Sequence, residues 1–251
     1  MHKATLRRVK RSARSLGVFS VACLALLPLQ TRGDANYSVL VKFTSNYVYR
    51  GYSKSSGNPV VQGNLDYEHS SGFFIGTWVS QVDFDLGADH ERANIEVTPY
   101  AGWSLSLSED WRADLTLAAY IYDHRVFSRE ADYGELFGQV HFRDLVTARI
   151  GVSIDAYGSS KSIQDYELHT RFPLTDTTDV SGVVGYEDSG ALLTYDSLYW
   201  NIGATWFLHK YAALDLRYYD TERLGAGKMA PLGIGPPGIE NHVVVSVSLG
   251  F

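Results

Sequence analysis

The chain has 251 residues, of which 45% are hydrophobic, a length that suits one large domain or two small ones. Charged residues make up 20% and the mean hydropathy is -0.13, so the composition is not that of a helical membrane protein. The formal net charge of -6 is acidic, which argues against nucleic-acid binding because that function needs a basic surface.

Residues 1–35 are predicted to be a cleaved secretory signal peptide. A basic stretch precedes the only long apolar run, residues 16–29, and Gly33 and Ala35 suit a cleavage site. A retained membrane anchor is the alternative, but the run is short for a span. A lipoprotein signal at Cys23, the only cysteine, is a second alternative. The apolar run continues past that residue, which argues against lipidation. The segment carries seven of the 22 Lys and Arg and one of the 28 Asp and Glu, so its removal makes the mature chain more acidic.

Residues 36–251 are predicted to form a single antiparallel all-β barrel that crosses a membrane. Twelve segments of about ten residues show an apolar face alternating with a smaller or polar one, the period of a strand between lipid and water. Ten or fourteen strands are the alternatives if a weak segment is misjudged. The segments are 37–49, 60–69, 72–82, 94–106, 111–122, 133–143, 145–156, 163–172, 179–187, 197–208, 211–220 and 240–251.

The connections between these segments alternate in length. Links after even-numbered segments are mostly tight, whereas links after odd-numbered ones are longer and richer in Gly, Ser, Pro and charge. This asymmetry is typical of an up-and-down outer-membrane barrel with short periplasmic turns, longer extracellular loops and both termini in the periplasm.

Outward-facing aromatic residues are predicted to form two girdles, as amphipathic rings prefer the two membrane interfaces. The girdle at the short turns contains Tyr67, Trp103, Trp111, Phe142, Phe172, Trp206 and Phe251. The girdle at the long loops contains Tyr47, Tyr49, Tyr186, Trp200 and Tyr218.

Three stretches carry a family resemblance: TSNYVYRGYS at 44–53, NPVVQGNLDYEH at 58–69 and GFFIGTW at 72–78. They resemble the opening strands of the TorF family of porin-like proteobacterial outer-membrane proteins. Tyr49 replaces the commoner Phe and Phe74 the commoner Tyr, which changes neither size nor face. The resemblance implies an outer-membrane location and a porin-like role, and it brings no catalytic residue. The C-terminal Phe251 likewise resembles the signal read by the outer-membrane assembly machinery.

Side chains on the inward parity are predicted to line a pore, in a barrel of backbone diameter about 24 Å. Such a lining is polar because charges facing lipid would be costly. The predicted pore-lining residues are Lys42, Asn46, Arg50, Asn64, Asp66, Glu68, Glu96, Arg112, Asp114, Glu135, His141, Arg149, Asp155, Asp165, Glu167, His169, Arg171, Asp215 and Arg217.

Two states of the lumen are compatible with this pattern. The charges either line a water-filled path, which twelve strands favour, or pair across the lumen and plug it. The loop 221–238 is the predicted constriction, with a mobile outer loop as the alternative. Acidic residues slightly outnumber basic ones, which indicates a weak preference for cations.

Enzyme and metal chemistry are poorly supported. His141 and Ser153 share the inward face of adjacent segments, but a tight turn at Asp144 places His141 nearer Thr147, so no catalytic triad is expected. The acidic loop that begins at Asp83 and contains Asp85, Asp89 and Glu91 fits no standard calcium loop, although a bound divalent cation is an alternative there. No cofactor is expected.

The sequence therefore predicts a passive outer-membrane channel for small hydrophilic solutes or ions, surrounded by outer-membrane lipid and lipopolysaccharide. A closed barrel that serves as a structural element, adhesin or anchor is the alternative. Neither the solute nor the oligomeric state follows from the sequence.

Overall fold

The computed structural model describes residues 35–83, 92–126, 129–225 and 241–251. The predicted signal peptide, except for Ala35, lies outside the described residues, and so do most of the acidic loop after Asp83 and most of the predicted constriction 221–238.

The described chain forms a closed antiparallel barrel of twelve strands, which confirms the predicted fold and strand number. Each strand pairs with its neighbours in sequence, and the first strand of the barrel pairs with both the second and the last, so Val41 lies between Gly63 and Leu249. The barrel strands are β1 Ala35–Thr44, β4 Val60–His69, β5 Phe73–Gln81, β6 Ile95–Ser106, β7 Trp111–Tyr122, β8 Tyr133–Phe142, β9 Val146–Ser153, β10 Ile163–Thr175, β11 Thr178–Asp188, β12 Asp196–His209, β13 Ala212–Leu224 and β14 His242–Gly250.

Residues 45–59, which we call the inner loop, contain two further strands, β2 Val48–Tyr49 and β3 Tyr52–Ser53. Besides the strands, the described residues contain a 3-10 turn at Ala156–Gly158 and a one-turn helix, α1, at Gly190–Leu193. No helix in the described part of the chain is long and apolar enough to cross a membrane.

The barrel has a short-turn end and a long-loop end, as the alternation of connections predicts. At the short-turn end, Arg143 and Asp144 take positive φ angles of 51° and 54° between β8 and β9. Two successive positive φ angles are typical of the tightest hairpin turns. Gly72 joins β4 to β5 at φ +88°, and a Cβ there would lie 2.2 Å from the Ser104 carbonyl oxygen, so the close approach to β6 requires glycine.

The outer face of the wall is apolar. Leu115 and Leu117 of β7 are 57% and 63% exposed, and similar side chains continue around the ring. The intervening residues of the same strand, from Arg112 to Tyr122, are buried inside the barrel. A surface of this kind is stable against hydrocarbon and not against water, so the exposed belt indicates a transmembrane barrel.

Aromatic pairs lie at both ends of this belt. At the short-turn end Tyr37 contacts Tyr67, Phe73 contacts Trp103 and Trp111 contacts Phe142, with ring centres 4.9, 5.6 and 4.9 Å apart. At the long-loop end Trp200 packs on Tyr218 at 5.2 Å and Tyr166 on Tyr186 at 6.5 Å.

The girdle prediction was wrong for Tyr47 and Tyr49, because the predicted first strand overran the true one. β1 ends at Thr44, and the chain then turns into the barrel. Tyr47 is 1% exposed and Tyr49 5%, and both lie in the interior among other aromatic side chains.

Local polar contacts fix this inward turn. The Asn46 side-chain oxygen accepts hydrogen bonds from the Ser53 and Ser55 hydroxyls at 2.6 and 3.0 Å, and the Tyr47 amide donates to Ser55 Oγ at 2.9 Å. At the tip of the loop, Arg50 and Gly51 have φ angles of 46° and 80°. The inner loop is therefore a compact hairpin inside the barrel.

Candidate functional site in the barrel lumen

Lys54 of the inner loop is completely buried near the long-loop end of the lumen. Its Nζ lies 2.6 Å from Glu96 Oε2 of β6, and both side chains are 0% exposed. The same ammonium lies 4.0 Å from the ring centre of Tyr49 and 4.9 Å from that of Tyr120. A cation is attracted to aromatic faces at these distances, so the carboxylate and the rings together hold Lys54.

Tyrosine side chains fill the space around Lys54. The Tyr49 and Tyr120 hydroxyls are 3.0 Å apart, and Tyr120 stacks on Tyr133 with ring centres 4.5 Å apart. Tyr52 and Tyr157 share a 2.5 Å hydrogen bond between their hydroxyls. Burial raises the pKa of Tyr52 and of Tyr157 above the ordinary value, so both hydroxyls stay protonated.

Arg50, at the tip of the inner loop, reaches three carboxylates of the opposite wall. Its Nη2 lies 2.6 Å from Glu135 of β8 and 2.6 Å from Asp165 of β10, and its Nη1 lies 3.5 Å from Glu187 of β11. The guanidinium also lies 4.8 Å from the ring centre of Tyr49. Arg50 thereby ties the inner loop to strands on the far side of the barrel.

Arg149 of β9 extends this network along the wall. Its Nη2 lies 2.9 Å from Asp165 Oδ2 and 2.8 Å from Glu167 Oε2. Glu167 also accepts a 2.7 Å hydrogen bond from the Tyr199 hydroxyl and lies 2.6 Å from His169 Nε2. Arg149 therefore shares Asp165 with Arg50 and pairs with a second carboxylate of β10.

A separate cluster lies toward the short-turn end. Arg112 Nε contacts Asp114 Oδ1 at 3.2 Å, and its Nη1 contacts Asp144 at the same distance. His141 lies between Asp114 and Thr147, at 2.9 and 2.8 Å. As expected, His141 is adjacent to Thr147 and not to Ser153.

Another cluster is centred on Arg217 of β13, which is 2% exposed. Its guanidinium donates to Asp215 at 3.0 Å, to Asn201 Oδ1 at 2.8 Å and to the Ser181 hydroxyl at 2.8 Å. Three neighbouring strands are joined in this way.

Most of the predicted pore-lining residues lie on the inward parity of the wall. They are Lys42, Asn64, Asp66, Glu68, Glu96, Arg112, Asp114, Glu135, His141, Arg149, Asp165, Glu167, His169, Arg171, Asp215 and Arg217. Asn64 donates to the Tyr100 hydroxyl at 2.9 Å, and that hydroxyl donates to Asp66. Arg171 contacts Asp179 at 2.6 Å.

Three of the predicted pore-lining residues do not belong to a strand wall. Asn46 and Arg50 lie inside the barrel but on the inner loop, because β1 ends before them. Asp155 lies beyond the end of β9 and is exposed, and its carboxylate accepts a hydrogen bond from the Ser160 amide at 2.5 Å. Asp155 therefore organises a loop and does not line the lumen.

Sequence reasoning missed several lumen residues. Tyr120 and Tyr122 share the inward parity of Arg112, so the same alternation could have identified them. Glu187 likewise shares the parity of the buried Val183. Lys54 had no such signal, because it stands in a polar stretch without strand periodicity.

A cavity remains between the inner loop and the wall formed by β9 to β13. The side chains that line it include Tyr49, Arg50, Arg149, Glu167, His169 and Asn201. The inner loop is therefore the constriction that the described residues show. Of the predicted constriction, residues 221–225 are described, and there the Thr221 hydroxyl donates to the Gly51 carbonyl of the inner loop at 2.8 Å.

Among the described residues, no group of His, Cys, Asp or Glu is arranged to hold a metal ion. Of the acidic outer loop, Asp83 is described, and it lies 3.6 Å from Arg92.

The architecture is similar to that of solved outer-membrane channels. The KdgM porin in complex with disordered oligogalacturonate matches with a TM-score of 0.52 and 7% identity, over 85% of this chain and 99% of that chain. The COG4313 outer membrane channel from Pseudomonas putida F1 matches with a TM-score of 0.51 and 10% identity, over 94% of this chain and 99% of that chain. At these identities the similarity shows the fold alone.

No curated protein matches the sequence. The model of a bacterial protein family of unknown function, Gcw_chp, matches residues 30–229, which is most of the chain. The expected relation to porin-like proteins is thus supported in its fold, whereas the resemblance to the TorF family stays a prediction. The chain belongs to the Gcw_chp family of bacterial proteins.

Proposed function

We propose that the protein is a porin-like channel of the outer membrane, through which small hydrophilic solutes or ions diffuse passively. The observation that carries this proposal is a closed twelve-stranded barrel with an apolar exterior and an interior lined by charged side chains. A polar interior of this kind is typical of barrels that conduct water-soluble solutes. Lipid and lipopolysaccharide surround the belt, and the assembly machinery reads Phe251.

In this proposal the solute path runs through the cavity beside the inner loop. Its walls carry opposite charges, because the bases Arg50 and Arg149 line it together with the carboxylate of Glu167. Solute size is limited by the inner loop, and selectivity is set by the lining charges. Four carboxylates, Glu135, Asp165, Glu167 and Glu187, face two guanidiniums, those of Arg50 and Arg149, and this acidic surplus supports a weak preference for cations.

One observation favours a second function, a closed barrel that acts as a structural element, adhesin or anchor. Lys54 is 0% exposed and Arg50 8%, and both are paired with carboxylates of the wall. A lumen filled in this way conducts only if the inner loop leaves room or moves.

Planar-bilayer recordings of the refolded barrel separate the two functions. A channel gives discrete, ohmic current steps, and their absence supports the closed barrel. If Arg149 and Arg171 line a conducting path, Arg149→Glu and Arg171→Glu will shift the reversal potential in a salt gradient toward cation selectivity. Unchanged reversal potentials in both variants would argue that neither residue lines the conducting path.

A further inference from the structure

The site that holds Arg50 belongs to the barrel wall. Its three carboxylates, Glu135, Asp165 and Glu187, come from β8, β10 and β11. The ring centre of Phe137 of β8 lies 5.9 Å from the guanidinium. The inner loop supplies the cation and the aromatic face of Tyr49. The wall is therefore built to surround a planar cation that is not part of it.

A second cation site of the wall holds Lys54. Glu96 of β6 supplies the carboxylate, and Tyr120 and Tyr122 of β7 place their ring centres 4.9 and 5.9 Å from the ammonium. Tyr49 of the inner loop closes the cage on another side. A carboxylate with several aromatic faces is the arrangement by which proteins recognise organic ammonium groups.

The wall is negatively charged at the two sites that hold Arg50 and Lys54, so a cation at each site is favourable. Without the inner loop, the network of Glu135, Asp165, Glu167 and Glu187 faces the guanidinium of Arg149 and the imidazole of His169. Carboxylates held this close together repel one another unless a cation lies between them. Departure of the inner loop is therefore coupled to the entry of another cation.

The inner loop is attached in a way that allows it to leave as a unit. β2 and β3 pair with each other through Val48 and Ser53 and through Tyr49 and Tyr52, and they form a sheet separate from the barrel. Movement of the loop therefore breaks no hydrogen bond between barrel strands. Its contacts to the distant wall are made largely by side chains, and the bonds that it loses include the one from the Asp83 amide to the Lys54 carbonyl, at 2.7 Å.

We propose that Arg50 and Lys54 are tethered ligands that occupy two binding sites for organic cations, and that these sites take solutes bearing guanidinium or primary ammonium groups. This inference rests on the proposed channel function and names its substrate class. A solute cation that enters the lumen replaces Arg50 at Glu135, Asp165 and Glu187, and the displaced inner loop widens the path.

The binding site is tested by chemical rescue of Arg50→Ala with methylguanidinium. Thermal unfolding of the refolded barrel is followed by its gel mobility, with sodium chloride at equal ionic strength as the reference salt. We expect methylguanidinium to raise the unfolding midpoint of Arg50→Ala saturably, and to raise that of the wild type only at higher concentrations, because there it must first displace Arg50. Arg171→Ala is the matched control, because Arg171 pairs with a single carboxylate and its side chain is 42% exposed.

An equal response of Arg50→Ala and Arg171→Ala would overturn the site. If Arg50→Ala folds only with methylguanidinium, the site is supported. If Arg50→Ala folds in neither salt, Arg50→Gln takes its place, and a saturable rise of its unfolding midpoint with methylguanidinium is again required. Bilayer recordings with methylguanidinium as the only cation test the channel separately. If methylguanidinium stabilises Arg50→Ala but carries no current, the cation site stands and the channel function is refuted. If it carries current but does not stabilise Arg50→Ala, the channel function stands and the cation site is refuted.

Discussion

Replacing Lys54 with Met removes the buried cation while keeping an unbranched side chain of similar length. The change leaves Glu96, which is 0% exposed, with a 3.0 Å hydrogen bond from Tyr47 but without its ion pair. Breaking a buried ion pair from one side costs about 3–5 kcal/mol. Loss of the contacts with Tyr49 and Tyr120 adds about 0.5–2 kcal/mol.

The replacement of its partner, Glu96→Gln, tests whether loss of the ion pair causes the destabilisation of Lys54→Met. Because Lys54→Met with Glu96→Gln leaves no buried charge at this place, we expect the double variant to be more stable than the sum of the single effects by about 2 kcal/mol. The free energy of unfolding is measured by urea denaturation of the barrel in lipid vesicles.

An exposed lysine provides the control for this measurement. Lys161 lies on the surface of the loop between β9 and β10, and Lys161→Met is expected to change the unfolding free energy by less than about 0.5 kcal/mol. A loss below about 1 kcal/mol for Lys54→Met, or strict additivity with Glu96→Gln, would refute the conclusion that this pair holds the inner loop.

Three further predictions concern the wall. Leu115→Arg places a charge on the outer belt and should destabilise the barrel by about 2–4 kcal/mol in vesicle unfolding, and a loss near zero would contradict a lipid-facing belt. Gly185→Ala should lower the unfolding midpoint, because its Cβ would lie 2.3 Å from the buried Tyr199 ring, whereas Gly138→Ala, with its closest contact at 3.5 Å, should not. Deletion of Phe251, whose amide donates to the Val39 carbonyl at 2.8 Å, should reduce the amount of assembled barrel in membrane fractions more than it reduces single-channel conductance, and normal assembly would contradict its role.

The barrel could be predicted because lipid and water impose opposite demands on successive residues. Period-2 alternation identified all twelve strands, and it also set the parity that placed Arg149 and Asp165 inside. The same rule failed at strand ends. Tyr47 and Tyr49 continue the alternation of β1, but a tyrosine packs as well inside a barrel as at a membrane interface. Local periodicity could not separate the two places.

The inner loop could not be predicted by any local pattern. Its sequence around Lys54 is rich in Ser and Gly, as an outer loop would be, and the groups that hold it come from distant strands. The separation between Arg50 and Glu187 is 137 residues along the chain, and only the closed barrel brings them together. The constriction was assigned to residues 221–238 for the same reason.

The balance of charge across the whole lumen carries information about the inner loop that strand periodicity does not. The inward parity predicts more carboxylates than bases, and a buried excess of carboxylates is unstable unless cations come from outside the wall. In the structure Arg50 and Lys54 supply them, each against carboxylates of other elements. An acidic surplus on the inner face of a predicted barrel therefore indicates a cationic partner, which is either a segment of the same chain or the solute that replaces it.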